Sequence, residues 1–146
     1  MRKIYLRIAL IVGAVLTLSF CVSTPGNPPA YLHALSDLRA ARWLISHHPA
    51  NWANTKAENE AVREIDRSIN EIKQAAIDDG KNTEWHPDVD EQPDRSCRLT
   101  EALDFLNKAQ ADIGTLEEHS FANWMRNHAV SHINFAIQET RRALEE

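Results

Sequence analysis

Apolar residues return once per helical turn along residues 121–146, and the same pattern occurs again 68 residues earlier in the chain. Met125, Ala129, His132, Ala136 and Ala143 stand three, four or seven positions apart, and Phe121, Ile133, Ile137 and Leu144 widen the stripe. That period marks an amphipathic helix with one buried face. Sliding the chain by 68 residues lays Ala61, Val62, Ile65, Ile69, Glu71 and Ala75 on Ala129, Val130, Ile133, Ile137, Glu139 and Ala143. The same offset, without a gap, carries Ala34, Leu35, Leu38, Ala41 and Ile45 onto Ala102, Leu103, Leu106, Ala109 and Ile113. Two helical segments and the connection between them recur together, which predicts a duplicated helical hairpin.

Local signals delimit four helices. The first spans residues 30–47, with Tyr31, Leu35, Leu38, Arg42 and Ile45 along one row, and Pro49 stops it. The second opens with Thr55 and, three residues later, Glu58, the pattern of a capping box, and closes at Gly80. The third is expected to start at Ser96 as N-cap and to weaken at Gly114, and the fourth to start at Ser120. Residues 80–96 hold two prolines and several carboxylates, so no helix survives there; this long connection is expected to cross between the two hairpins. No segment alternates like a half-buried strand. The fold class expected is therefore all-α, an antiparallel four-helix bundle over residues 30–146. Ala34, Ala41, Ala102 and Ala109 would let facing helices approach closely, and Trp43, Trp52, Trp85 and Trp124 are expected at the ends and rims of the core.

Before the bundle, Arg2, Lys3 and Arg7 precede an uncharged apolar run at residues 8–20, a signal-peptide pattern shorter than the roughly 20 residues of a spanning helix. Three fates are open: cleavage after Ser23, lipidation at Cys21, or retention of residues 4–22 as an anchor that tethers the chain to a membrane. The lipoprotein-like box Leu18-Ser19-Phe20-Cys21 has bulky Phe20 where a small residue belongs. All three imply export, with a periplasmic location. Residues 24–29 form a flexible spacer rich in proline and glycine. The only cysteines are Cys21 and Cys97, so a chain cleaved after Ser23 has no internal disulfide. The whole chain carries a net charge of -5, and residues 1–23 hold three cations and no acids, so the remainder stands at -8. Such a surface repels phosphate backbones, which excludes nucleic acid as the expected partner.

His128 and His132 are four apart on the fourth helix, the spacing at which two imidazoles share a face and can share a metal. Their equivalents at the 68-residue offset are Glu60 and Glu64, and His33 maps onto Glu101. Packing of the two hairpins about a pseudo-twofold axis would set imidazoles opposite carboxylates, so His128, His132, Glu60, Glu64 and His33 are the candidate metal ligands, for a transition metal or haem. The bland alternative is that His132 is a core histidine hydrogen-bonded to Asp37 or Glu64. No Glu-x-x-His of the diiron bundles occurs, Met125 is the only methionine after residue 23, and no CxxCH could attach haem. His47-His48-Pro49 reads as a helix end; His86, Asp88, Asp90 and Asp94 lack the glycine and final glutamate of an EF-hand. Ser36, Asp37 and His33 are neighbours on one helix and cannot form a hydrolase triad, so no enzyme is expected.

Two stretches, Tyr31-Leu32-His33-Ala34-Leu35-Ser36-Asp37-Leu38-Arg39-Ala40-Ala41-Arg42 and Ile77-Asp78-Asp79-Gly80-Lys81-Asn82, resemble a group of small exported bacterial proteins of unknown function. The resemblance covers the chain beyond its N-terminal segment and implies a Gram-negative exported helical protein; it brings no activity, cofactor or site residue. The functional expectation is a non-enzymatic exported binding or interaction module, with a metal- or haem-binding bundle as the alternative. A protein partner or a homodimer formed through an exposed apolar stripe is the third expectation.

Overall fold

The computed structural model of the chain describes residues 30–48, 53–75, 80–91, 94–114 and 120–146. The export segment, Cys21, the spacer and Trp52 lie outside the described residues. Within them are four helices and no strand: α1 (Ala30–Ser46), α2 (Lys56–Ala75), α3 (Arg95–Gly114) and α4 (Ser120–Glu145). Each forms where the apolar period predicts it, and the starts of α2 and α3 follow from capping chemistry. At α2, Thr55 N–H donates to Glu58 Oε2 (2.7 Å) and Glu58 N–H donates to Thr55 Oγ1 (3.2 Å), a complete capping box. Gly80, expected to close that helix, adopts φ 72°, a conformation that costs glycine little. The start of α3 corrects the expectation. Asp94, not Ser96, is the cap: Asp94 Oδ1 accepts from Cys97 N–H (3.0 Å) and from the Ser96 hydroxyl, which itself becomes a helical residue. A carboxylate at a helix N-terminus also meets the positive end of the helix dipole, which a hydroxyl exploits less.

The helices form a four-helix bundle in which α1 packs on α2 and α3, and α4 packs on α2 and α3. The broadest interface is α2 with α4, followed by α1 with α3. Contacts between Glu64 and His132, and between Ser68 and Ala129, pair rising numbers on α2 with falling numbers on α4, so these helices run antiparallel. Arg98 meets Leu44 and Asp37 feels Lys108 and Asp112, so α1 and α3 are antiparallel as well. The core is the set of stripes read from the sequence: Ala34, Leu38, Ala41 and Ile45 of α1, Ile65 and Ile69 of α2, Ala102, Leu106 and Ala109 of α3, and Ala129, Ile133 and Ala136 of α4, all fully buried. Removing each isoleucine or leucine from water contributes about 1.5–3 kcal/mol.

Internal symmetry is visible in the polar contacts. Arg42 Nε donates to Asp66 Oδ1 (2.7 Å) between α1 and α2, and the residues 68 positions further on, Gln110 and Asn134, form the corresponding hydrogen bond between α3 and α4. His132 and Glu64, which bond to one another, are themselves 68 residues apart. A residue that touches its own equivalent sits on the axis that exchanges the two halves.

Because α3 starts at the end of the bundle where α1 finishes, the connection after α2 runs the length of the molecule. It follows α1: Arg39 Nη2 donates to Lys81 O (3.2 Å), Arg42 pairs with Glu84 (2.9 Å), and His86 lies against Trp43 at 4.7 Å between ring centroids. Of the tryptophans expected at the rim, Trp43 is partly buried against the core, whereas Trp85 and Trp124 are exposed.

Candidate metal centre

The α2/α4 interface carries most of the polar residues singled out from the sequence. One turn of α4 places His128 and His132 on the same face, and α2 brings Glu71 against them, so that a nitrogen of each imidazole and a carboxylate oxygen of Glu71 all lie within 4.8 Å of one another. Donors around one ion at bond lengths near 2.0–2.2 Å sit about 3–4 Å apart, so this set stands close to coordination spacing. His128 is exposed, and Glu71 and His132 are half-buried. The Trp124 ring lies on His128 at 4.1 Å between centroids, tilted by 39°, and limits the orientations of that imidazole.

His132 also reaches its own repeat equivalent across the pseudo-twofold axis. Its Nδ1 is 2.7 Å from Glu64 Oε2. An ionised carboxylate only accepts, so the ring nitrogen is the donor, which in a neutral imidazole leaves the lone pair on Nε2. Glu64 Oε1 accepts from Arg67. Of the two alternatives for a core-type histidine, the partner is thus Glu64 and not Asp37.

Two properties set the Glu71, His128 and His132 cluster apart from its symmetry equivalent. The first is that Glu71 Oε2 is buried with no hydrogen-bond partner among the described residues, a state that ordinarily costs a carboxylate about 1–3 kcal/mol or more. The second is the distribution of cations. The equivalents of Glu71, His128 and His132 are Glu139, Glu60 and Glu64, and each of these is paired with an arginine three residues later: Arg142 (2.8 Å), Arg63 and Arg67. The residues at the same offset from Glu71, His128 and His132 are Gln74, Ser131 and Phe135, none of them charged. One half therefore balances its carboxylates internally. The other sets a carboxylate and two imidazoles together with no arginine three residues after any of them.

The arginine-bearing half opens into a cleft of about 490 Å³ lined by Lys56, Glu60, Arg67, Phe135, Glu139 and Arg142 among others, with Glu64 and His132 forming its boundary. Glu60 lines this cleft in its pair with Arg63 and does not join the histidines. His33 is exposed on α1, diagonal to α4, close to Asp37, so it stands on another face of the bundle. Of the five expected ligands, the structure gathers His128 and His132, places Glu64 behind His132, and leaves Glu60 and His33 apart. Glu71 is the ligand type that sequence reasoning passed over. The signal was present, since Glu71 coincides with an identical residue, Glu139, at the repeat offset on an otherwise apolar alignment.

The remaining histidines among the described residues have structural partners. His47 stacks on Trp43 at 4.9 Å, His48 bonds to Asn54, and His86 Nδ1–H donates to Pro87 O (2.7 Å). Asp94 serves as the α3 cap, which holds its carboxyl below the usual range through the Ser96 hydroxyl and the Cys97 amide.

No described helix is long and apolar enough to cross a membrane. In comparison with known proteins, no family model, no curated protein and no solved structure matches this chain.

Proposed function

We propose that this chain is a non-enzymatic exported binding bundle whose ligand is one divalent transition-metal ion, held by His128, His132 and Glu71. The observation that carries this reading is the convergence of those three donors across the α2/α4 interface. Two imidazoles and one carboxylate form a borderline donor set that suits Zn(II), Cu(II), Ni(II) or Co(II), whereas calcium and magnesium take mainly oxygen ligands. A bare ion fits better than haem: imidazoles one turn apart on the same helix face cannot bind the two opposite sides of one porphyrin. Export follows from the charged, apolar N-terminal pattern and agrees with the resemblance noted in the sequence. With three protein ligands, the ion keeps a position for water or an outside donor. Among the described residues no nucleophile or general base stands beside it in a recognisable arrangement, which favours a protein that holds an ion over one that uses it in a reaction.

The test is zinc titration of chelator-stripped protein. One ion per chain is expected, with affinity at least 10-fold weaker in His128→Ala, His132→Ala and Glu71→Gln, and unchanged in the equivalent variant Glu139→Gln. Absence of stoichiometric zinc, copper, nickel or cobalt binding, or equal affinity in His132→Ala, would refute the reading.

A further inference from the structure

Resting on the metal reading, we infer that Glu64 is the positioning residue of the centre: it holds the proton on Nδ1 of His132 and so presents Nε2 to the ion. The geometry argues for this role against direct ligation. Both oxygens of the Glu64 carboxylate are engaged, Oε2 with His132 Nδ1 (2.7 Å) and Oε1 with Arg67. An ion bound to Glu64 would stand beside that guanidinium and be repelled by it. The side chains of Glu64 and His132 are 8% and 23% exposed, so the hydrogen bond is largely shielded from water while part of the imidazole stays accessible. Burial strengthens the bond, and the second contact to Arg67 prevents the carboxylate from turning away. Histidine ligands of metals commonly donate their second N–H to a carboxylate in this way, which orients the ring and raises its basicity, and loss of that partner weakens binding by about 10- to 100-fold. The position on the axis explains how the pair arose within the repeat: the same helix position supplies the ligand from α4 and its support from α2.

The experiment uses full-length protein, with Glu64→Ala and Glu64→Gln beside the wild type, and circular dichroism to confirm folding. Nitrogen NMR of metal-free protein at a pH where the imidazole is neutral reads the tautomer of His132. The Nδ1–H form is expected in the wild type and the Nε2–H form in Glu64→Ala. Zinc affinity is expected to fall about 10- to 100-fold in Glu64→Ala at unchanged stoichiometry, and by less in Glu64→Gln, whose amide oxygen still accepts the hydrogen bond. Should Glu64→Ala not fold, the milder variant decides by the same two measurements. An Nε2–H tautomer in the wild type, or zinc affinity within twofold of wild type in the alanine variant, would overturn the role of Glu64 while leaving the metal reading in place. A wild type that binds no metal would remove both.

Discussion

Asp37 shows how a single side chain can work against the fold that contains it. Burial, and then the neighbouring carboxylate of Asp112 on α3, push it from the ordinary 3.8 up to about 6, against the opposing pull of Lys108 and His33. A carboxyl with a raised folded value binds its proton more tightly in the native chain than in the unfolded one. Its contribution to stability therefore declines as pH rises from about 4 to about 6, and the cost is complete above that window. Because the group is only half-buried, solvent screening keeps the cost near 1 kcal/mol. Asp37→Asn is expected to stabilise the protein by about that amount at pH 7.5 and to have no effect at pH 3.5, as read from urea midpoints at the two values. Arg98 shows the opposite balance. Desolvation lowers its value, yet Arg98 Nε donates to the carbonyl of Leu44 (2.8 Å), one of the last carbonyls of α1 that no helical amide can reach. Neither environment was legible in the sequence, where Asp37 reads as a candidate partner of His132, because the groups that meet Asp37 and Arg98 come from another helix.

At the scale of elements, the signals that could be read locally were the ones that held. The capping box of α2 depends on Thr55 and Glu58 alone, and the structure contains both of its hydrogen bonds. Glu58 does more than the pattern implies, since its buried Oε1 also accepts from Arg95 Nε (3.0 Å) at the start of α3. Thr55→Ala removes the acceptor for the Glu58 amide and is expected to cost about 1 kcal/mol in urea unfolding, with little change in the slope. The first residue of α3 was harder to read. Asp94 and Ser96 are both good caps, and the choice between them turns on which backbone amides lack a partner once the connection has been laid along α1. Arg39 was missed for the same reason: it is 1% exposed because that connection covers it, with its guanidinium donating to Lys81 O and lying 5.7 Å from the Trp85 ring centroid.

For the whole molecule, the two halves carry equivalent apolar loads. Ile65 and Ile133 are equivalent positions, both fully buried on facing helices. Each change to alanine is expected to cost about 2–5 kcal/mol, and the two to agree within about 1 kcal/mol, measured by denaturant unfolding of the separate variants. A large asymmetry between them would mean that the halves do not share one core equally. The polar residues follow a different rule, since the α2/α4 interface has one half in which Glu60, Glu64 and Glu139 are each matched to an arginine and one in which a carboxylate and two imidazoles face each other. Symmetry brings the positions together, and its breaking leaves one half without the arginines of the other.

Four helices, their stripes and the repeat offset were determined by the sequence alone, because hydrophobic period and capping act over three or four residues and need no knowledge of distant partners. The pairing of His132 with Glu64 was within reach for the same reason, once the offset was combined with a twofold packing. Only the tertiary structure decided which helices lie side by side, and with that the entry of Glu71 and the separation of His33 and Glu60 from the histidines. Such choices depend on how α2 and α4 are rotated about their own axes when their stripes close on one another. That rotation is set by the summed packing of the core and by no single residue.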